Sequence, residues 1–185
     1  MSSTWKAWKV LAAGAALLVA QGAAAADGYL DGASFEVATG NKTQIARFGV
    51  QRGFETRWFE SNGTQLSGYW DFTIAAWREN AYRNQPGVTA HLWDIGITPV
   101  FRFENANHKG WYGEGAIGAH LMSHLYNNDD NRLSTAFEFG DHIGAGYVFD
   151  GGTEIGMKIQ HYSNGGIKHP NSGVNTLVLK IATHF

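Results

Sequence analysis

The strongest constraint on the fold is a strict alternation of side-chain character along short segments of the chain. Between positions 137 and 149 one parity is apolar, comprising Phe137, Phe139, Ile143, Ala145, Tyr147 and Phe149, and the other is small or polar, comprising Glu138, Gly140, His142, Gly144 and Gly146. Positions 177–185 repeat this alternation. Because successive residues of a β-strand point to opposite faces, the pattern predicts strands with one apolar and one polar face.

Eight strand-like runs of this kind follow one another along the chain. They lie at about 32–39, 43–53, 66–78, 91–103, 110–124, 133–149, 153–163 and 174–185. A strand crosses a bilayer at a tilt with about 9–11 residues, and the smallest closed membrane barrels have about eight strands. We therefore predict an all-β protein that forms an eight-stranded antiparallel transmembrane β-barrel.

The alternative architecture is a secreted barrel of the lipocalin type, whose apolar parity points inward around a ligand. A small barrel in lipid has the reverse arrangement, with apolar residues outside and small or polar residues inside. Seven aromatic residues are predicted to form belts at the membrane surfaces: Trp58, Trp70, Trp77, Trp93, Trp111, Tyr112 and Phe185. Charged residues are predicted to fill the interior with ion pairs: Glu36, Arg47, Arg78, Glu114, Glu138 and Lys158.

Residues 1–26 are interpreted as a cleaved secretory signal peptide. Two Lys residues precede an apolar run over 10–20, and the Ala stretch 23–26 provides a cleavage site before Asp27. The run has 11 residues, whereas a transmembrane helix needs about 20. The remaining residues, 27–185, are predicted to form one barrel domain.

Composition argues against several other classes of protein. Residues 27–185 carry 12 of the 14 basic residues and all 16 acidic ones, a formal charge of −4, without the clustered basic footprint of a nucleic-acid-binding protein. The chain has no cysteine, so it is not a disulfide scaffold. Its eight His residues show no compact metal-ligand spacing, and neither a metal nor another cofactor is predicted.

The strand predicted at 153–163 ends in two chemically capable side chains. Its outward stripe of Ile155, Met157 and Ile159 continues as His161 and Ser163. A serine hydroxyl becomes an effective nucleophile when a neighbouring base accepts its proton, and two residues on one strand face lie close enough for this. In an even-stranded barrel the two chain termini share the periplasmic end, so this pair is expected near the external end, facing lipid.

This segment resembles the catalytic segment of a known family. His161-Tyr162-Ser163-Asn164-Gly165-Gly166-Ile167-Lys168, followed by Pro170-Asn171-Ser172-Gly173, is similar to that of the lipid A 3-O-deacylase (PagL) family of outer-membrane esterases. Positions 67–71 and 141–146 provide supporting matches. The terminal Phe185 resembles the C-terminal signature of bacterial outer-membrane proteins. Elsewhere the resemblance is mainly one of barrel pattern.

The resemblance implies an outer-membrane hydrolase that removes the ester-linked acyl chain at position 3 of lipid A. It implies Ser163 as the nucleophile, His161 as its general base and Asn171 as an oxyanion donor. For Asn164 it leaves open whether the backbone or the side chain acts. The resemblance implies lipopolysaccharide of the outer leaflet as the substrate and outer-membrane lipid as the partner around the barrel. It leaves open whether the protein forms a homodimer.

The third position of the implied triad departs from the family pattern. The family typically has a glutamate where this chain has Asn175, and an amide can orient the imidazole but cannot offset its positive charge. A short turn at 150–152 aligns Asp141 with His161 on the neighbouring strand, so Asp141 is predicted as a substitute acid. The alternative function is a noncatalytic small barrel, structural or partner-binding, including a degenerate deacylase.

Overall fold

A computed structural model describes the fold of residues 28–185. The predicted signal peptide lies outside these residues and stays a prediction. The strands of the described chain are β1 (Gly32–Gly40), β2 (Thr43–Gly53), β3 (Trp58–Ser61), β4 (Thr64–Glu79), β5 (Ala90–Asn105), β6 (Gly110–Met122), β7 (Asn127–Asn128), β8 (Asn131–Arg132), β9 (Phe137–Val148), β10 (Thr153–Ser163) and β11 (Val174–His184). Within residues 28–185, no helix has the length and apolar character that a membrane span requires.

Eight of these strands close into an antiparallel barrel. Their order is β1, β2, β4, β5, β6, β9, β10 and β11, and β11 pairs again with β1, placing Gly32 opposite His184. Closure pairs the backbone donors and acceptors of every barrel strand on both sides, which the bilayer interior requires. The predicted eight-stranded antiparallel barrel is therefore confirmed.

The short strands were not predicted, and one predicted boundary was wrong. β3 pairs with the start of β4, and β7 pairs with β8 within the loop at 123–136. The run expected from position 133 begins as β9 only at Phe137, because Leu133 instead forms an isolated bridge with Asn171. That bridge joins two loops at one end of the barrel.

The two ends of the barrel differ in the length of their connections. The end that holds Gly32 and His184 has short turns at 106–109 and 149–152, together with the β3 hairpin. The opposite end, here named the loop end, carries the long connections at 80–89, 123–136 and 164–173 and the tight turn at 41–42. His161 and Ser163 lie where β10 reaches the loop end.

Side-chain burial shows which parity faces outward. The exposed face is apolar, with Ile143 at 72% and Ile159 at 62% exposed, whereas the buried face includes charged residues such as Glu36 and Lys180. A lipocalin-type barrel would show the reverse distribution. The membrane arrangement is therefore supported and the secreted alternative is wrong.

Ion pairs fill the interior as predicted, although not with all of the predicted members. Glu36 Oε2 accepts from Arg47 at 2.6 Å, and Glu36 Oε1 lies 2.7 Å from Lys158 Nζ. Glu114 pairs with the buried Arg102 at 2.7 Å. Arg78 was wrongly assigned to the interior, because even-numbered residues of β4 face outward.

Glu138 is interior without a cation partner among residues 28–185, and one interior ion cluster was not predicted. Glu138 is buried, but among residues 28–185 its carboxylate bonds to Thr135 Oγ1 at 3.0 Å rather than to a cation. A second ion cluster was not predicted: Glu154 lies 2.9 Å from both Arg102 and Lys180.

The aromatic belts are also partly as predicted. Trp58, Trp70, Trp93, Trp111 and Phe185 are exposed on the outside. Trp77 and Tyr112 are instead buried, where the Trp77 indole donates to Asp94 at 2.7 Å and the Tyr112 hydroxyl donates to Glu154 at 2.6 Å. Both belong to the inward-facing parity of their strands. For Trp77 the sequence already indicated this, because the apolar residues Trp70, Phe72 and Ile74 occupy the other parity of β4.

Candidate active site on the outer wall of the barrel

The site begins with the outward face of β10 at the loop end. His161 and Ser163 are partly exposed and continue the exposed stripe formed by Ile155, Met157 and Ile159. The shared face predicted from their spacing is thus present. A polar pair placed at the end of a lipid-facing stripe lies where the polar part of a lipid would meet the barrel wall.

Strand register brings Asn175 to one side of His161. The two residues are direct partners between β10 and β11. The Asn175 N–H donates away from β10, to Asn41 Oδ1 at 2.9 Å, so His161 and Asn175 form a pair without mutual main-chain hydrogen bonds. Side chains in such pairs are closer, with Cα atoms about 4.5 Å apart. Accordingly, His161 Nδ1 lies 2.7 Å from Asn175 Oδ1.

Asp141 lies on the other side of His161, as predicted from register. It is the direct partner of His161 between β9 and β10. This pair is of the hydrogen-bonded kind, in which Cα atoms are about 5.5 Å apart. Among residues 28–185 no hydrogen bond joins the two side chains, but both line a surface groove of about 730 Å³. Asp141 thus lies beside His161 on the neighbouring strand, while Asn175 makes the direct contact.

The hydrogen bond to Asn175 decides the tautomer of His161. An amide oxygen only accepts, so Nδ1 is the donor in this contact, and in the neutral imidazole Nε2 is then the ring nitrogen with the free lone pair. This is the form that a general base requires. Within residues 28–185, no hydrogen bond joins Ser163 Oγ to the imidazole.

Gly173 contacts the other side of the imidazole and was not predicted as a site residue. It adopts φ +75°, and a Cβ at this position would lie 2.5 Å from His161 Cε1. The main chain of the 164–173 loop therefore packs directly on the ring. Gly173 belongs to the 161–173 segment that carries the family resemblance. Only its spatial contact with His161 shows that it packs on the imidazole.

The 164–173 loop is organised by Asn164, whose side chain is buried. The amide nitrogen of Asn164 donates to the carbonyl of Lys168 at 2.8 Å, and its amide oxygen accepts from the Gly166 N–H at 3.0 Å. The backbone N–H of Asn164 donates to Asn171 Oδ1 at 3.0 Å. The Asn164 side chain is thus committed to holding the loop.

Asn171 is oriented by that last hydrogen bond. Because its amide oxygen accepts from Asn164, its amide nitrogen points elsewhere, and among residues 28–185 that nitrogen makes no hydrogen bond. Amide donors without another partner are one kind of group that can stabilise an oxyanion in ester hydrolysis. The same described residues contain no cluster of three or more His, Asp or Glu with metal-binding geometry.

Sequence similarity links the chain to a known protein family. Residues 44–184 match the family model described as lipid A 3-O-deacylase (PagL). The chain is 32% identical over 143 residues to the lipid A deacylase PagL of Pseudomonas aeruginosa, covering 77% of this chain and 79% of the relative. It is 37% identical over 95 residues to the lipid A deacylase PagL of Bordetella bronchiseptica, covering 51% of this chain and 52% of that relative.

A solved structure gives the same result at the level of the fold. The crystal structure of the outer-membrane enzyme PagL superposes with a TM-score of 0.71 at 28% identity, covering 82% of this chain and 98% of that chain. The family-model match runs from the second residue of β2 to the end of β11, so it spans seven of the eight barrel strands. It also contains every candidate site residue. The chain therefore belongs to the lipid A 3-O-deacylase (PagL) family of outer-membrane ester hydrolases.

Proposed function

We propose that the protein hydrolyses the ester-linked acyl chain at position 3 of lipid A, with Ser163 as nucleophile and His161 as general base. The observation that carries this proposal is the imidazole held outward with Nδ1 2.7 Å from Asn175 Oδ1. In the neutral imidazole that contact leaves Nε2 as the proton acceptor, and His161 and Ser163 share one strand face. The activity for which the relatives are named supplies the substrate.

The proposed site faces the outer leaflet. Outer-membrane barrels have short periplasmic turns and longer extracellular loops. The long connections at 80–89, 123–136 and 164–173 therefore mark the external end, and both barrel termini lie at the other end. Lipid A anchors lipopolysaccharide in the outer leaflet, so substrate reaches Ser163 by lateral diffusion along the outer wall.

The reaction proceeds in two halves. Ser163 Oγ attacks the acyl carbonyl carbon while its proton passes to His161 Nε2. The carbonyl oxygen becomes an oxyanion that accepts a hydrogen bond from the Asn171 amide nitrogen. The bond to the sugar oxygen then breaks, and that oxygen takes the proton from Nε2. A water molecule that gives its proton to His161 Nε2 next attacks the acyl-serine ester, and Ser163 Oγ leaves with that proton as the fatty acid is released.

Orientation and charge compensation come from different residues in this proposal. Asn175 fixes the tautomer through its amide oxygen, but it carries no charge. The imidazolium that forms during proton transfer is stabilised by the carboxylate of Asp141, its partner on β9. Asn164 serves the reaction by shaping the loop that presents Asn171.

The test is mass spectrometry of lipid A after lipopolysaccharide is incubated with refolded protein. The wild type is expected to remove one ester-linked acyl chain, and Ser163→Ala and His161→Ala are expected to lose this activity by at least a factor of about 10³. Ser61→Ala and His169→Ala, which alter exposed residues outside the proposed triad, serve as matched controls. Activity retained by folded Ser163→Ala would exclude the proposed nucleophile.

A further inference from the structure

The tight turn between β1 and β2 reaches the active site through Asn41. The ladder between β1 and β11 ends toward the loop end at the pair Thr39 and Leu177. Continued by two residues, it would place position 41 opposite Asn175. The chain instead turns there, with φ of 47° at Asn41 and 52° at Lys42. No main-chain carbonyl of β1 therefore continues the ladder.

The Asn41 side chain takes the place of that carbonyl. Its Oδ1 accepts the Asn175 N–H at 2.9 Å. A Cβ at the neighbouring Gly40 would overlap the carbonyl oxygen of Asn175, so the two main chains approach each other more closely than a side chain would permit. Position 175 is thus fixed from the β1 side as well as from the β10 side.

The turn that carries Asn41 is itself anchored to other loops. The Asn128 side-chain amide donates to the Asn41 carbonyl at 2.8 Å, and Lys42 Nζ lies 2.5 Å from Asp129 Oδ1. The Asn80 N–H donates to the Lys42 carbonyl at 3.0 Å. These contacts tie the turn to the 80–89 and 123–136 connections, so two neighbouring segments help to determine the position of Asn41.

We propose that Asn41 is a positioning residue of the active site, acting on His161 through Asn175. Asn41 Oδ1 holds the start of β11, and Asn175 Oδ1 then holds His161 Nδ1 at 2.7 Å. Without Asn41, the first residues of β11 lose the hydrogen bond that secures Asn175 toward β1, and the imidazole is free to exchange tautomers. This inference rests on the function proposed above, because it assigns Asn41 to the orientation of the proposed base.

Three variants test the inference. Asn41→Gly tolerates positive φ but removes the acceptor, whereas Asn41→Asp keeps an acceptor oxygen and also tolerates positive φ. Asn62→Gly is the matched control, because Asn62 has φ 50° and is exposed in the distant turn between β3 and β4. Asn41→Gly is expected to lower kcat roughly tenfold at unchanged KM, the size of one lost hydrogen bond. Asn41→Asp and Asn62→Gly are expected to retain wild-type kcat.

A second measurement does not depend on hydrolysis. Nitrogen-15 NMR of His161 in micelles reports which ring nitrogen carries the hydrogen, and it applies equally in a Ser163→Ala background. We expect a single Nδ1–H tautomer in the parent and in Asn41→Asp, and a mixture in Asn41→Gly. If Asn41→Gly does not fold, Asn41→Ser, whose side chain is shorter, replaces it in both measurements.

The outcomes separate this inference from the proposed function. A wild type that leaves lipid A intact overturns the proposed function, whatever the NMR result. Normal hydrolysis by the wild type, together with unchanged kcat and an unchanged tautomer in folded Asn41→Gly, overturns the positioning role alone. An equal loss of kcat in Asn62→Gly also overturns it, since that loss would reflect turn flexibility in general.

Discussion

At the scale of single residues, His161 has an amide on one side and a carboxylate on the other. The alternation of pair types in an antiparallel sheet explains which neighbour makes the direct contact. Asn175 belongs to the close pair and bonds to Nδ1 at 2.7 Å, while Asp141 belongs to the wider pair. A single acidic residue normally performs both tasks in a triad, whereas the proposed mechanism divides orientation and charge between residues of two strands.

This division predicts a coupled effect of two substitutions. Asp141→Asn is expected to lower kcat about tenfold, because the imidazolium loses its compensating charge. In an Asn175→Glu background the same substitution is expected to cost less, because the carboxylate introduced on β11 would then supply the charge. The measurement is a double-mutant cycle on kcat for lipid A hydrolysis.

Strict additivity in that cycle would contradict the shared role of positions 141 and 175. Unchanged kcat in a correctly folded Asp141→Asn variant would leave Asp141 with no part in catalysis. Folding of each variant is checked by the change in electrophoretic mobility of the barrel on heating.

At the scale of structural elements, the 164–173 loop begins after Ser163, the proposed nucleophile, and ends against the His161 imidazole. Asn164 closes the loop on itself through Lys168 and Gly166, and Asn171 bridges to Leu133 in the neighbouring loop. The loop ends at Gly173, whose main chain packs on His161. Loop conformation and imidazole position are therefore coupled by direct contact.

Two glycines of this loop provide a matched test of that coupling. Both have positive φ, 75° at Gly173 and 84° at Gly166, but an added Cβ meets His161 at Gly173 and nothing within 4 Å at Gly166. Gly173→Ala is expected to lower kcat by a factor of at least about ten, since displacement of a catalytic group is costly. Gly166→Ala bears only the backbone strain and is expected to remain within about threefold of wild type. Equal losses in the two variants would show that strain, rather than contact with the imidazole, is responsible.

At the scale of the whole molecule, the barrel interior holds buried ion clusters beside an apolar cluster that includes Trp77, Leu92 and Tyr162. One ion cluster centres on Glu36 with Arg47 and Lys158, and the other on Glu154 with Arg102 and Lys180. The outer wall must be apolar in lipid, so the interior receives the polar side chains. Such clusters are stable only while every charge keeps its partner.

Removal of one carboxylate charge is therefore expected to destabilise the barrel. Glu154→Gln leaves Arg102 and Lys180 without their shared partner, and we expect the free energy of unfolding to fall by about 3–5 kcal/mol. Unfolding in urea, followed by tryptophan fluorescence in detergent micelles, measures the change. Asp150→Asn, at a fully exposed carboxylate 3.8 Å from Lys109, is the control and is expected to have no measurable effect. A similar midpoint for both variants would contradict the stabilising role of the interior cluster.

Local sequence was sufficient to predict the architecture. Alternation has a period of two residues, and it is visible wherever a strand separates lipid from a polar interior, as at Phe137 to Phe149. The same rule places His161 and Ser163 on one outward face, and the short turn at 150–152 aligns Asp141 with His161. Trp77, Tyr112 and Arg78 were assigned to the wrong face of the barrel wall, because the prediction followed residue type and not the odd or even position in the strand.

Only the tertiary structure decided how the site is held together. Gly173 meets the imidazole because of the path of the 164–173 loop. In the interior, Arg102 likewise meets Glu154 only because the barrel closes. The acceptor for the Asn175 N–H lies 134 positions away in sequence, at Asn41. Local periodicity determines which face a side chain occupies, because that depends on strand geometry alone. Which side chains meet across the closing seam depends on the global register, and no local pattern encodes it.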